Sequence, residues 1–277
     1  ITDGDYNVAV GSAALDAATT GESYNIAIGA NSMGSMDEDS SGQVDHNIAI
    51  GYQAYLGGDM NTASNTCLGN IAIGSYALDA SSGFSHTGTI AIGYQAGTAI
   101  TTGAGSTIVG YQAGLAITNG NYNTVFGYQA LKTEDGNGYN VAIGHKTFNL
   151  LNAGADGYNV GVGYQAGESS TTGIRNVYIG GNAGQQATTG RDNVAIGSDA
   201  EYQNKVGNYN VNIGSYAGQY ATGSNNSFVG YQAGRGGTTS APYSSGQYNT
   251  AMGYQALTAF TTGGSNVAVG YKAGVAV

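Results

Sequence analysis

One phrase recurs fifteen times along this chain: roughly Asn-[Val/Ile/Thr]-Ala-[Ile/Val]-Gly-x-x-Ala, as in Asn7-Val8-Ala9-Val10-Gly11, Asn140-Val141-Ala142-Ile143-Gly144 and Asn266-Val267-Ala268-Val269-Gly270. Its glycines are Gly11, Gly29, Gly51, Gly74, Gly93, Gly110, Gly127, Gly144, Gly163, Gly180, Gly197, Gly214, Gly230, Gly253 and Gly270. Seven of the fourteen intervals between them are 17 residues, and the rest run from 16 to 23. A period this short, kept from end to end, gives each repeat one supersecondary unit that buries its apolar surface only by stacking on its neighbours. The expected fold class is therefore all-β, a parallel β-solenoid of about fifteen turns filling residues 1–277 as a single repeat array.

With the glycine as position zero, the residue before it is always apolar, and the residue three before it is Val, Ile or Thr in most repeats. The residue between them is most often Ala. Side chains alternate across a strand, so the two branched residues share one face and the small one takes the other. The expectation is that the branched pair, Ile143 among them, forms the stacked core, and that the Ala side is a smooth outer face. The glycine marks a corner that needs an unusual backbone conformation. Position −4 is Asn in thirteen of fifteen repeats, with Thr89 and Ser106 as exceptions, and stacked Asn side chains form hydrogen-bonded ladders.

Composition narrows function. Charged residues make up 9% of the chain and the net charge is −10, with only 7 Lys and Arg spread along it. No basic stripe is available to neutralise phosphates, so nucleic acid is not an expected partner. Apolar runs are too short for membrane insertion. Cys67 is the single cysteine, which excludes a disulfide framework and reads as a small buried residue. The chain opens on Ile1 without an initiator Met or signal peptide, as a processed product or the ordered part of something longer would. Two or three apolar side chains per turn, at roughly 1.5–3 kcal/mol each, must oppose about 1–2 kcal/mol of backbone entropy for every residue of the turn. That thin core predicts an oligomer in which association buries the Ala or Tyr face.

Four groups carry candidate sites. Tyr94, Tyr111, Tyr128, Tyr164, Tyr231, Tyr254 and Tyr271, with Tyr52, follow the glycine directly and form an aromatic column. Such a column is either an inter-chain seam, where Tyr buries area and keeps its hydroxyl wet, or a strip on which sugars stack. The acidic segment Asp37-Glu38-Asp39-Ser40-Ser41-Gly42-Gln43-Val44-Asp45 begins like a calcium loop, with Asp37, Asp39 and Asp45 as candidate ligands. Its twelfth position is Ile48, where a bidentate Glu belongs, so a solvated insertion is the competing reading and no metal is assigned. The long intervals Gly29–Gly51, Gly51–Gly74 and Gly230–Gly253, the last holding Pro242 and Tyr243, project either binding loops or tolerated decoration. His46 and His145 stand where other repeats carry Tyr. No nucleophile–base constellation or paired carboxylates stand out, so no catalytic residue, no enzyme activity and no cofactor is expected.

The phrase Asn-Val-Ala-Ile-Gly resembles the head repeat of trimeric autotransporter adhesins. The longer phrases Gly120-Asn121-Tyr122-Asn123-Thr124-Val125-Phe126-Gly127-Tyr128-Gln129-Ala130-Leu131 and Gln247-Tyr248-Asn249-Thr250-Ala251-Met252-Gly253-Tyr254-Gln255-Ala256-Leu257 are closer to phage tail-fibre-type repeat proteins. The resemblance covers essentially the whole chain. It implies a left-handed β-roll-like solenoid, a homotrimer whose partners are itself and other fibre or appendage proteins, and a location on a virion appendage or extracellular surface. The function it implies is a structural fibre or appendage shaft that contributes to host attachment. The alternative is the head of a bacterial surface adhesin binding host matrix, a receptor or glycan. A polysaccharide-cleaving tailspike with acids such as Asp192 and Asp199 is a third reading. The period departs from that of adhesin heads, and no self-cleaving chaperone domain is present in the sequence.

Overall fold

The computed structural model describes residues 4–18, 21–36, 43–57, 66–79, 86–237, 239, 241 and 243–275. The chain divides into two compact units, Ile1–Asn140 and Val141–Val277. Each is a parallel β-solenoid, and the two together hold about 14 turns at a spacing of about 17 residues. In the first unit the strands Val8–Val10, Ile26–Ile28, Ile48–Ile50, Ile71–Ile73, Ile90–Ile92, Thr107–Val109 and Thr124–Phe126 stack in that order. In the second the stack runs Val141–Ile143, Val160–Val162, Val177–Ile179, Val194–Ile196, Val211–Ile213, Ser227–Val229, Thr250–Met252 and Val267–Val269. Register is in phase with the repeat: Ala195 faces Tyr178 on one side and Asn212 on the other. A small second sheet in the first unit, Gln43–Asp45, Thr66–Leu68 and His86–Thr87, was not expected from the repeat. It buries Val44, Cys67 and His86, with Cys67 Sγ 3.6 Å from His86 Nδ1.

The inside and the outside of each strand are reversed from the sequence expectation. The middle residue points into the core: Ala27, Ala49, Ala72, Ala91, Ala142, Ala195 and Ala251 are fully buried. The branched residues on either side are partly or fully exposed, and Ile143 has 39% of its surface open. The reason lies in the rest of the turn. Ala at +3 and the residue at +4 also point inward, as Ala77 and Leu78 or Ala130 and Leu131 do. A turn of about 17 residues leaves an interior too narrow for a branched pair as well.

The interior is filled by trading volume between positions −2 and +4. In most turns where −2 is Ala, +4 is large: Ala72 with Leu78, Ala142 with Phe148, Ala251 with Leu257. In most turns where −2 is large, +4 is Gly: Tyr178 with Gly184, Phe228 with Gly234, Ile108 with Gly114. Val125 with Leu131 departs from this exchange, as does Ala91 with Gly97, where Ile100, Ile108 and Leu78 reach the glycine. A Cβ added at Gly184 would lie 2.7 Å from the Tyr178 ring. The turn with glycine at both places, Gly161 and Gly167, is filled by Phe148 and Tyr178 from the turns beside it. Close packing of this kind is what makes a core specific.

Hydrogen bonds tie turn to turn at every corner. Asn176 receives at its Oδ1 the Asn193 backbone N–H at 3.0 Å and donates from Nδ2 to the Gly190 carbonyl at 2.8 Å. The same link passes through Asn193 and Asn210, and in the first unit through Asn25, Asn47 and Asn70. These buried amides are thereby satisfied by backbone, with direct side-chain bonds such as Asn70 Nδ2 to Asn47 Oδ1 at 3.1 Å in addition. Positions −5, +2 and +4 adopt left-handed φ even when they are Tyr, Gln or Leu, as at Tyr122, Gln129 and Leu131. That conformation costs roughly 1–2 kcal/mol per non-glycine residue. Most of these N–H groups bond to another turn, as that of Gln129 does to the Tyr111 carbonyl at 2.9 Å, which offsets the strain.

The repeat glycines all have φ between +124° and +140°. A Cβ at Gly180 would sit 2.5 Å from the Gly197 carbonyl oxygen. Gly180→Ala therefore combines disfavoured backbone with a clash against an unyielding atom, and should lower stability by about 3 kcal/mol or more. Its neighbour Gly181, whose added Cβ would meet nothing within 4 Å, is the control. Thermal melts of Gly180→Ala and Gly181→Ala should separate widely. Equal melting temperatures would refute the corner assignment.

Candidate functional site

The strand face that points outward carries four columns, at positions −5, −3, −1 and +1. Position −5 is a second aromatic column: Tyr6, Tyr24 and His46 stack with centroids 5.1 and 4.9 Å apart, and Tyr122 lies 5.5 Å from Tyr139. Positions −3 and −1 are the branched residues. Position +1 is the tyrosine column. Tyr94, Tyr111 and Tyr128 stack at 5.4 and 5.3 Å with planes 16° and 7° apart. In the second unit His145 stacks on Tyr164 at 5.2 Å, and Tyr231, Tyr254 and Tyr271 stack at 5.3 and 5.4 Å. Where position +1 is Ser75, Tyr76 at +2 bridges edge-on between Tyr52 and Tyr94. Gln side chains fix this edge from beneath, Gln112 to Gln95 and Gln129 to Gln112 at 2.9 Å each.

This geometry bears on the two chemical uses of a tyrosine column. The rings are stacked on each other, so their faces are covered and only their edges and hydroxyls point outward. A sugar that needs a free ring face has none along the middle of the column. A flat surface that packs against ring edges and branched side chains does fit.

Charge is nearly absent from the face. In the first unit none of the four columns carries Asp, Glu, Lys or Arg. In the second, the charges in the columns are Arg175 and Asp192, which pair with each other through Nε–Oδ1 at 2.7 Å and Nη2–Oδ2 at 2.9 Å. The Arg175 hydrogen bonds hold the Asp192 carboxyl below the usual carboxylate range, and Asp192 in turn raises Arg175. That pair lies where the tyrosine column is interrupted by Gly181 and Ser198. Seven or eight strands at about 4.8 Å, each about 20 Å across the four columns, give an outer face on the order of 700 Å² in each unit. A typical monomer's largest apolar patch is about 300–600 Å².

The remaining sequence candidates are placed as follows. Asp45 accepts the Ser23 backbone N–H at 2.8 Å, a link between turns. Asp37 and Asp39 lie outside the described residues, as does Pro242. Among the described residues no group of three or more His, Cys, Asp or Glu side chains could hold a metal ion, and no helix is long and apolar enough to cross a membrane. Asp192 is engaged by Arg175, and Asp199 accepts from Ser198 Oγ at 2.9 Å.

Sequence reading missed an interior polar cluster in the second unit. Glu201, at position +4, is fully buried beside Tyr178 and Asn212, which occupy −2 in the turns flanking it. Glu201 Oε1 accepts from Asn204 Nδ2 at 2.5 Å and Asn210 Nδ2 at 3.5 Å. Among the described residues its Oε2, Tyr178 Oη and Asn212 Oδ1 have no hydrogen-bond partner. Burial pushes the Glu201 carboxyl up to about 8, against the opposing hydrogen bonds from the Asn204 and Asn210 amides. The signal was the phase of Glu201 in the repeat, which puts it where Leu and Phe stand elsewhere.

Comparison with protein-family models, with curated proteins and with solved structures finds no match to this chain.

Proposed function

We propose that the chain is the shaft of a fibre or appendage on a virion, a left-handed β-roll-like solenoid assembled as a homotrimer. The observation that carries this reading is the outer strand face: apolar, aromatic and nearly free of charge on a chain of net charge −10. A self-repelling chain associates through the surface where repulsion is least. Per unit, the face is close to the roughly 800 Å² that each partner contributes to a stable interface. A second copy presents the same columns at the same turn-to-turn spacing, so ring edges and branched side chains can meet in register within each unit.

Of the two surfaces expected from sequence, only the Tyr side is left to be covered. The Ala side is already inside each turn, so association buries the branched pair and the tyrosine edges. The rest of the architecture suits a load-bearing role: turns are held to one another by a backbone ladder and, in most repeats, by a ladder of Asn amides. Its role is to hold an attachment device away from a particle, with other appendage proteins as neighbours. No catalytic role is part of this reading.

Sedimentation equilibrium of the native protein should give three times the 27.8 kDa chain mass, undiminished on dilution to about micromolar concentration. A stable folded monomer at that concentration would overturn the proposal.

A further inference from the structure

All 17 acidic residues of the chain lie at or before Glu201. Residues 202–277 contain none, and carry Lys205, Arg235 and Lys272 as their only charged side chains. A chain that is strongly acidic as a whole therefore ends in a stretch with cations alone. Of the three arginines, Arg175 is paired with Asp192, and Arg191 lies close enough to act on the same carboxyl. Arg235 has no carboxylate partner among the described residues.

The setting of Arg235 is built. Its guanidinium lies over the Tyr220 ring, 5.2 Å from the centroid, and Tyr220 stacks on Tyr243 with centroids 6.3 Å apart and planes 9° from parallel. Its Nε donates to Gln219 Oε1 at 3.0 Å, which fixes the plane of the fork. All three aromatic and cationic side chains are partly exposed. The backbone beneath them is tied down. Tyr220 N–H donates to the Arg235 carbonyl at 2.7 Å, and Ser244 N–H to the Tyr220 carbonyl at 3.0 Å. Ser244 Oγ accepts from Gly237 N–H at 2.9 Å and donates to the Phe260 carbonyl at 2.7 Å. Arg235 and Tyr243 lie on the long turn between Gly230 and Gly253, and Gln219 and Tyr220 on the turn before it, away from the strand face.

We propose that Arg235, Gln219, Tyr220 and Tyr243 form a lateral binding site for a carboxylated saccharide. With Nε held by Gln219 and one face on Tyr220, the guanidinium offers its Nη groups, the geometry that receives a carboxylate through two parallel hydrogen bonds. Tyr243, stacked on Tyr220 by one face, supplies with its other face the flat apolar surface against which a sugar ring packs. A free phosphate or sulfate uses the fork and gains nothing from Tyr243, which is why the saccharide is favoured. The site requires neither the trimer nor the virion, so it stands or falls separately from the shaft reading.

The test is titration of the intact protein with trigalacturonate, followed by saturation-transfer NMR, with its methyl ester and inorganic sulfate as controls. Trigalacturonate should bind saturably at about millimolar concentration, as one fork contact and one ring contact allow. Arg235→Gln and Tyr243→Ala should each weaken it about tenfold, and the ester should not bind. Arg235→Lys keeps the charge but loses the fork, and should also weaken binding; it decides the matter if Arg235→Gln melts early. The proposal is overturned by no saturation at about 10 mM, by equal binding of the ester or of sulfate, or by full binding in both Arg235 variants.

Discussion

Ala142→Asp should unfold the second unit, while Ile143→Asp, one residue further on, should leave a single chain folded and abolish its association. Ala142 is fully buried, and its strand neighbour in register is Gly161. A carboxylate there has neither room nor partner, and the desolvation of an unpaired charge exceeds what a unit of this size has to lose. The expected loss is above about 4 kcal/mol. Ile143 is 39% exposed, so a carboxylate at that place stays in water, and its effect on a single chain should be within about 1 kcal/mol. In an oligomer each copy would carry the new charge into the shared face, where like charges oppose assembly. Circular dichroism at low concentration reads the first effect, and sedimentation reads the second. An Ile143→Asp chain that unfolds while Ala142→Asp folds would restore the opposite strand orientation and remove the outward apolar face.

That contrast also shows how far the sequence could be read. Periodicity alone located every strand of the main stack, because Asn at −4 and Gly at zero bracket the same three residues in each repeat. The parallel register followed, since identical phrases stack on themselves. Which side of the strand faced inward did not follow. Alternation separates Ala142 from Val141 and Ile143 but does not say which set is inside, and residue size alone points to the wrong one. The deciding information sits in the corner. Residues +3 and +4 turn inward through left-handed φ at Leu131 or Phe148, a conformation that residue type does not announce. Its trace in the sequence is the exchange between Tyr178 with Gly184 and Ala72 with Leu78, visible only when −2 and +4 are compared as a pair. The outer tyrosine column was legible as a column, but the orientation of its rings was not. The Arg235 cluster was legible only in part, since the long interval marks Tyr243 but nothing in the repeat places Tyr220 and Gln219 beside Arg235. The second sheet through Cys67 breaks the repeat, so no repeat-based reading would reach it.

The interior cluster gives the largest expected dependence on pH. Glu201 holds its proton in the folded chain up to about pH 8, whereas in the unfolded chain it releases it near 4.5. Between those values the folded state binds more protons than the unfolded one, so stability falls as pH rises. The loss begins near 4.5, accumulates on the order of 4 kcal/mol by pH 8, and then stops. As a neutral acid, Glu201 has a hydrogen on Oε2 to give to an acceptor such as Asn212 Oδ1 or Tyr178 Oη, each without a donor. Glu201→Gln supplies hydrogens from an amide that does not titrate. Its stability should therefore lack this slope, and should exceed that of the parent at pH 8 while matching it near pH 5. His86 in the first unit acts in the other direction. Burial lowers its pKa to about 4, so its share of stability is present above about 6.5 and is lost as pH falls towards 4. The parent's own profile mixes the two slopes, and the difference between parent and Glu201→Gln isolates one of them. Denaturant melts of both proteins at pH 5, 6, 7 and 8 measure that difference. A constant difference across the series would mean that Glu201 is already ionised in the fold, and that its buried Oε2 has found a donor.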